Sequence, residues 1–315
     1  MLFDKYIAVD WSARSAPSAA KPSHDAIWVG EKDKNGIQKE SYFRTRFECI
    51  EYLLPLLSSA VTNKERIIVG YDLDFGFPAG FIDALDLRGK FPKWRLLWNK
   101  LSKLIIDNPD NSNNRFEVAA YLNSLLSGST NYGPLWGCPV NTKLEYLSPK
   151  SPRYPYHTRT GHILRKFRWT EMRESKAQPV WKLIGSASVG GQTLVGIPAI
   201  HKLRFHPFLE KYSQIWPFET GFVAPVTSNQ PLILHIEIWP GIFSGTLDSS
   251  IIKDQAQVRA TVNWLHKNDM EDGLLSLLGV PEGLSHKEQI DCITEEGWII
   301  GMGTMKNKQR LSLGL

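Results

Sequence analysis

Short apolar runs separated by turn residues predict the first strands of the chain. Residues 5–10, 25–33 and 39–46 have the length and the β-branched or aromatic content of strands. Gly36 lies between the second and third runs, and glycine tolerates the positive φ that a hairpin loop needs. These runs predict three antiparallel strands.

A helix and a buried strand are predicted next. Residues 47–61 carry apolar side chains at helical spacing, although Pro55 should bend or split this helix. The apolar run that begins at residue 66 and ends in turn residues at 78 is typical of a strand buried on both faces. The order β-β-β-α-β predicts a mixed α/β sheet with flanking helices.

The middle of the chain does not continue this pattern. Residues 94–105 and 115–126 look helical, but the glycine- and proline-rich sequence around them is irregular. We expect residues 80–230 to be a mostly helical or irregular insertion. The core would then consist of residues 1–79 and 231–315.

The last third of the chain returns to strands and helices. Residues 231–240 read as a buried strand, and residues 254–269 as a helix with Asp254 at its N-cap. Residues 286–301 predict a helix followed by an extended piece. Glu295 and Glu296 form an acidic pair in this tail, which we expect to be exposed, with an approach to the site as the alternative.

Composition indicates a soluble protein. The 315 residues are 42% hydrophobic and 22% charged, which is ordinary for a globular chain. No run reaches the roughly 18–20 apolar residues of a membrane helix, and the first residues lack a signal-peptide pattern. We therefore expect a cytoplasmic protein with no membrane partner. Cys49, Cys138 and Cys292 are far apart in sequence, which favours reduced, buried thiols.

One basic segment suggests a polyanionic partner. The net charge of +5 is weak evidence alone, but residues 150–173 contain seven Lys or Arg and one acid, interleaved with aromatics. Such a mixture suits phosphate neutralisation and base stacking, although a solvated loop and helix face is an equal alternative. The candidate substrate contacts are Arg159, Arg165, Lys166, Arg168 and Lys176.

Three apolar strands each carry a carboxylate near the carboxyl end or the middle: Asp10, Asp72 and Glu237. One such acid is usually a turn-former, but three recurrences point to a site, because sites form beyond the carboxyl ends of strands in open α/β sheets. An unpaired buried carboxylate costs several kcal/mol. Each acid therefore needs a cation, hydrogen-bond donors or a proton.

A divalent cation would satisfy these acids together. Mg²⁺ or Mn²⁺ prefers oxygen ligands, and two such ions can activate a water and stabilise the leaving oxygen of a phosphodiester. Asp254 is a possible fourth ligand, with plain N-capping as its alternative. Asp74 is either a further candidate on the face of Asp72 or a surface acid.

The order of short motifs resembles one known family. AVDWSA, GYDLDFGFP, EIWPG, DQAQVRA and EEGWIIG, with WGCP and VWKLIGSASVGGQTLVGIP between them, span most of the chain. The chain resembles the family called domain of unknown function 429, a predicted nuclease group with a ribonuclease H-like layout. The resemblance implies a ribonuclease H-like fold with a large insertion and metal-dependent phosphodiester hydrolysis.

The resemblance also assigns site residues. It puts the family's acids on Asp10, Asp72, Glu237 and Asp254. The chain departs where relatives commonly have a proline, since Asp74 stands there instead.

Two other functions remain open. The chain could be a catalytically inactive nucleic-acid or partner-binding module on the same fold. A phosphotransferase of the actin and sugar-kinase branch is disfavoured, because no glycine follows Asp10 until Gly30 to form a phosphate loop. The glycine-rich residues 185–192 lack the Gly-Lys-Ser/Thr of a P-loop, and close helix packing explains them better.

Overall fold

The computed structural model describes residues 1–127, 132–139, 141–142, 144–185, 188–225 and 228–303. Its first elements are β1 (Lys5–Asp10), β2 (Ile27–Asp33), β3 (Gln38–Phe43), α1 (Arg46–Thr62) and β4 (Arg66–Tyr71). The predicted order β-β-β-α-β is confirmed.

The elements after β4 alternate between helices and short strands. They are α2 (Phe81–Ala84), α3 (Lys93–Leu104), α4 (Arg115–Leu126), β5 (Tyr132–Trp136), β6 (Tyr146–Ser148), β7 (Tyr156–His157), β8 (Ile163–Leu164), α5 (Val189–Arg204), β9 (Ser213–Ile215), β10 (Leu232–Glu237), α6 (Lys253–Met270), α7 (Gly273–Leu277) and α8 (His286–Asp291). A single π-helical turn, Cys292–Glu296, continues α8. The helices predicted at 94–105 and 115–126 correspond to α3 and α4.

Six strands form one mixed sheet in the order β3-β2-β1-β4-β10-β9. The pairs β1–β2 and β2–β3 are antiparallel, whereas β4 is parallel to both β1 and β10, and β9 is parallel to β10. The predicted mixed α/β architecture is therefore confirmed. The edge strand β9 comes from the region expected to be an insertion, so that region contributes directly to the central sheet.

The two faces of the sheet bury different helices. Ile7, Val9 and Tyr71 belong to a hydrophobic cluster that includes side chains of α1, α3 and α5. Tyr6, Ala8 and the apolar face of α6 belong to the cluster on the other side. Because side chains alternate along a strand, the register decides which of these faces an acid at a strand end meets.

The predicted break at Pro55 does not occur. The α1 helix runs unbroken from Arg46 to Thr62 and starts with a capping box, in which Thr45 and Glu48 each accept from the other's backbone. Pro55 is exposed, so the backbone donor that it lacks faces water and the ring displaces no core side chain.

The predicted N-cap role of Asp254 is wrong. The N-cap of α6 is Ile252, which offers no side-chain acceptor, and Asp254 lies inside the first turn. An acid there still interacts favourably with the helix dipole, and its side chain is free to point elsewhere.

Two expectations about composition can be compared with the structure. Cys49, Cys138 and Cys292 are free and buried, as predicted. Among the described residues, no helix is both long enough and apolar enough to span a membrane.

Candidate functional site

Asp10 and Asp72 lie next to each other at the carboxyl edge of the sheet. Val9 of β1 pairs with Tyr71 of β4 in parallel register, so the residues that follow are neighbours on the same face. The amide of Asp72 donates to the carbonyl of Val9 at 2.9 Å, which fixes this alignment one residue past the end of β4. The sheet register alone therefore brings these two carboxylates together.

Both carboxylates resist ionisation. Burial raises the pKa of Asp10 well above its usual value, and the charges of Asp72 and Asp254 raise it further. Burial and the charge of Asp254 raise the pKa of Asp72 to about 7. Asp10, Asp72 and Asp254 thus form one electrostatic group, called here the acid cluster.

Asp254 reaches the acid cluster from α6, which covers this face of the sheet. Asp254 is 8% exposed. Burial raises its pKa, and hydrogen bonds from the backbone of Asp25 and Ala26 only partly oppose that rise. The buried Oδ2 atom of Asp254 has no hydrogen-bond partner in the described part of the chain. Such an orphaned oxygen is a site for a proton or a cation.

Lys253 is a cation that acts on Asp10 and Asp72 of this cluster. It precedes Asp254 in the first turn of α6 and lowers the pKa of both Asp10 and Asp72. Its side chain is exposed. Sequence reasoning missed Lys253, although its position beside Asp254 was a usable signal.

Glu237 does not join the acid cluster. It pairs in register with Tyr71, the residue before Asp72, so its side chain points to the opposite face of the sheet. A one-residue offset always reverses the face. The expectation that Glu237 and Asp10 share one set of metal ligands is therefore corrected.

Arg168 neutralises Glu237 instead. Its Nη1 donates to both carboxylate oxygens at 3.0 and 2.9 Å, and its Nη2 donates to Asp74 at 2.5 Å. Its Nε donates to Glu171 at 2.7 Å. Arg168 is 0% exposed, so the prediction that it contacts substrate is wrong. A guanidinium with five donors can serve several carboxylates at once.

Asp74 belongs to this second, buried group and not to the face of Asp72. The strand ends at Tyr71, so strand alternation no longer applies at position 74. Burial raises the pKa of Asp74 well above normal; Arg168 opposes the rise, and Glu171 and Glu237 add to it. Burial also raises the pKa of Glu237 to about 7 against the effect of Arg168. Asp74 and Glu237 thus belong to a buried ion network centred on Arg168.

Glu295 and Glu296 are buried, contrary to expectation. Their residues are 4% and 0% exposed. Glu296 accepts from the amides of Ala79 and Trp169, both at 2.7 Å, and from Arg165. The two acids tie the π-helical turn to the loop after β4, a role that two adjacent glutamates do not reveal in a sequence.

The other predicted substrate contacts are distributed over the surface. Arg159, Lys166 and Lys176 are exposed. Arg159 also donates to the carbonyl of Leu125 at 2.8 Å. Arg165 is half-buried, bound to Glu296 and stacked on Trp169 at 3.7 Å from the ring centroid. Only the exposed members can meet a ligand without breaking an ion pair.

The glycine-rich start of α5 is closely packed, as predicted, and it lies beside the segment that follows β1. A Cβ on Gly190 would lie 2.0 Å from the carbonyl oxygen of Val180, and one on Gly191 would lie 2.5 Å from that of Leu183. The side chain of Gln192 donates to the carbonyl of Trp11, directly after β1. Ser186 and Ala187 of this motif lie outside the described residues.

The acid cluster suits a divalent cation through its chemistry. All three side chains offer hard oxygen donors, all three have raised pKa values, and one oxygen is orphaned. Within the described ranges, no set of three or more His, Cys, Asp and Glu side chains forms a group that could hold a metal ion. Asp10 and Asp72 are therefore a two-carboxylate site with Asp254 in electrostatic range.

Comparison with protein-family models, with curated proteins and with solved structures finds no match for this chain.

Proposed function

We propose that the protein is a divalent-metal-dependent hydrolase of phosphodiester bonds in nucleic acid, acting at Asp10 and Asp72. The observation that carries this proposal is the parallel register that places Asp10 beside Asp72 at the carboxyl ends of β1 and β4, where burial and the charge of Asp254 destabilise the ionised form of both carboxyls. A cation reverses this destabilisation.

The residues fit Mg²⁺ or Mn²⁺. Mg²⁺ is commonly bound by one or two carboxylates, keeps several waters and takes further ligands from substrate phosphates. Asp10 and Asp72 would hold such an ion, and Asp254 would add charge and an unpaired oxygen. The bound ion would supply an activated water and stabilise charge on the phosphate.

The chain's own residues would do the rest. Asp254 can accept a hydrogen bond or a proton at Oδ2, because that oxygen has no other use among the described residues. Lys253 is exposed beside it and can hold a substrate phosphate. The packed start of α5 limits movement of the segment after β1, so the carboxylate of Asp10 stays in place.

The layout supports a ribonuclease H-like assignment. Three antiparallel strands, a helix, a parallel strand with its own acid, and a later helix with an acid occur in the order that this class has. Fold analogy does not by itself imply activity, so the proposal depends on the acid cluster.

The test is cleavage of single-stranded RNA, single-stranded DNA and duplex DNA with Mg²⁺ or Mn²⁺. We expect Asp10→Asn and Asp72→Asn each to reduce cleavage by at least about a hundredfold, since each removes charge from the ion's ligands. Asp86→Asn is the matched control, because Asp86 is 78% exposed and has a positive φ that asparagine tolerates.

The outcomes separate the alternatives. Cleavage that survives in the Asp10→Asn/Asp72→Asn double variant contradicts the proposal. Salt-sensitive nucleic-acid binding without cleavage and without metal binding would favour an inactive binding module instead.

A further inference from the structure

A pocket lies at the amino edge of the sheet, at the opposite ends of the strands that carry Asp10 and Asp72. Its volume is about 510 Å³, and Asp4, Lys34, Lys64, Arg66 and Ser228 contribute to its lining. Small-molecule sites commonly have volumes of roughly 300–1,000 Å³. The pocket is thus large enough for a small organic ligand.

Arg66 lines this pocket and has a buried hydrogen-bond donor without a partner among the described residues. The residue is 7% exposed, its Nε donates to the carbonyl of Leu2 at 2.8 Å, and its Nη1 donates to Ser228 at 3.3 Å. Its Nη2 has no partner among the residues that the structure describes. Orphaned donors on a buried cation are costly, so an acceptor is expected there.

The guanidinium also lacks full charge compensation. Asp4 accepts from the backbone amide of Arg66, not from its side chain, and forms its ion pair with Lys34 at 2.8 Å. Burial lowers the pKa of Arg66, although Asp4 and Asp269 act to raise it. An incoming anion would restore that balance.

The charge around the pocket selects a dianion. The residues that line the pocket include three cationic side chains, Lys34, Lys64 and Arg66, and one carboxylate, Asp4. Lys64 has no ion-pair partner in the described part of the chain, and its residue is exposed. A phosphate monoester near neutral pH has a charge close to −2, which matches this excess better than a carboxylate does.

We infer that this pocket binds a small molecule carrying a phosphate monoester. Nη2 of Arg66 and the hydroxyl of Ser228 bond the phosphate oxygens, Lys64 neutralises their charge, and the remaining volume holds the esterified group. Ligand bound here touches the first residue of β4, whose carboxyl end leads into Asp72. The inference does not depend on the proposed nuclease activity.

The test is calorimetric titration of the full chain with inorganic phosphate, with glycerol 3-phosphate and with acetate. EDTA is present throughout, so that no divalent cation can hold phosphate at the acid cluster. We expect saturable binding of both phosphates at one site. Arg66→Met should weaken it by about 10- to 100-fold, the range for a hydrogen bond to a charged group.

Lys64→Asn is the second variant, because Lys64 is exposed and its φ of 59° suits asparagine. It should weaken phosphate binding by roughly three- to tenfold, less so at high salt. If Arg66→Met fails to fold, phosphate binding by Lys64→Asn tests the inference in its place. The control is Lys90→Asn, an exposed lysine outside the pocket, which should bind like wild type.

Three results would overturn the inference. They are absence of saturable binding of either phosphate by the wild type, undiminished binding in both pocket variants, and acetate binding as tight as that of phosphate at equal ionic strength.

Discussion

Nη1 of Arg168 donates to both carboxylate oxygens of Glu237, at 3.0 and 2.9 Å, and neither residue is exposed. Because Arg168 binds Glu237, the acids that the sequence suggested formed one group belong to two groups. Glu237 and Asp74 are held by a fixed internal cation, whereas Asp10 and Asp72 have no comparable partner among the described residues. Asp10 and Asp72 are therefore the acids that an external cation would compensate.

Removal of Arg168 should destabilise the protein strongly. Arg168→Met leaves Glu237, Asp74 and Glu171 buried without their shared cation, and breaking a buried pair in this way costs about 3–5 kcal/mol. Urea unfolding at neutral pH measures this loss. Arg88→Met, at a side chain that is 77% exposed, should change the free energy of unfolding very little, and equal effects of the two variants would contradict the ion network.

Asp72 should make the metal-free protein less stable as pH rises. Its folded pKa of about 7 lies above the ordinary value of 3.8, so the folded state binds more protons between those values. Stability should therefore fall from about pH 4 to pH 7, by at most a few kcal/mol for this group. Asp72→Asn should flatten the profile in EDTA, measured by urea unfolding at several pH values. A variant profile as steep as that of wild type would argue against the raised pKa.

Gly190→Ala should destabilise the start of α5, although alanine has the higher helix propensity. The new Cβ would lie 2.0 Å from the carbonyl oxygen of Val180, and overpacking of this kind costs typically 1–3 kcal/mol. Gly245→Ala is the control, since nothing lies within 4 Å of its Cβ position. Thermal denaturation should show a lower melting temperature only for Gly190→Ala; unchanged melting there would show that the helix start can move.

The local elements of this fold could be predicted from the sequence, but the register of the strands could not. The runs at β1, β4 and β10 were evident because buried parallel strands are continuously apolar. Whether Glu237 shares a face with Asp72 depends on a one-residue offset between β4 and β10, which pairing and not composition sets.

Burial of charged side chains was equally hidden in the sequence. Arg168 lies in a basic, aromatic segment whose other members, such as Lys166, are exposed. Its burial follows from the folding of two distant acids, Asp74 and Glu237, around it, together with Glu171 three residues further along. Glu296 is similar, since its partners Ala79 and Trp169 are far away in the sequence. Partners this distant are not apparent from local spacing.

Calorimetric titration with Mn²⁺ at neutral pH tests the central claim most directly. The account predicts saturable Mn²⁺ binding by the wild type, its loss in Asp10→Asn and in Asp72→Asn, and its retention in Glu237→Gln once that variant is shown to be folded. Binding that persists in both aspartate variants, or that fails only in Glu237→Gln, would contradict a metal site at Asp10 and Asp72. Absence of Mn²⁺ binding by the wild type would contradict it equally.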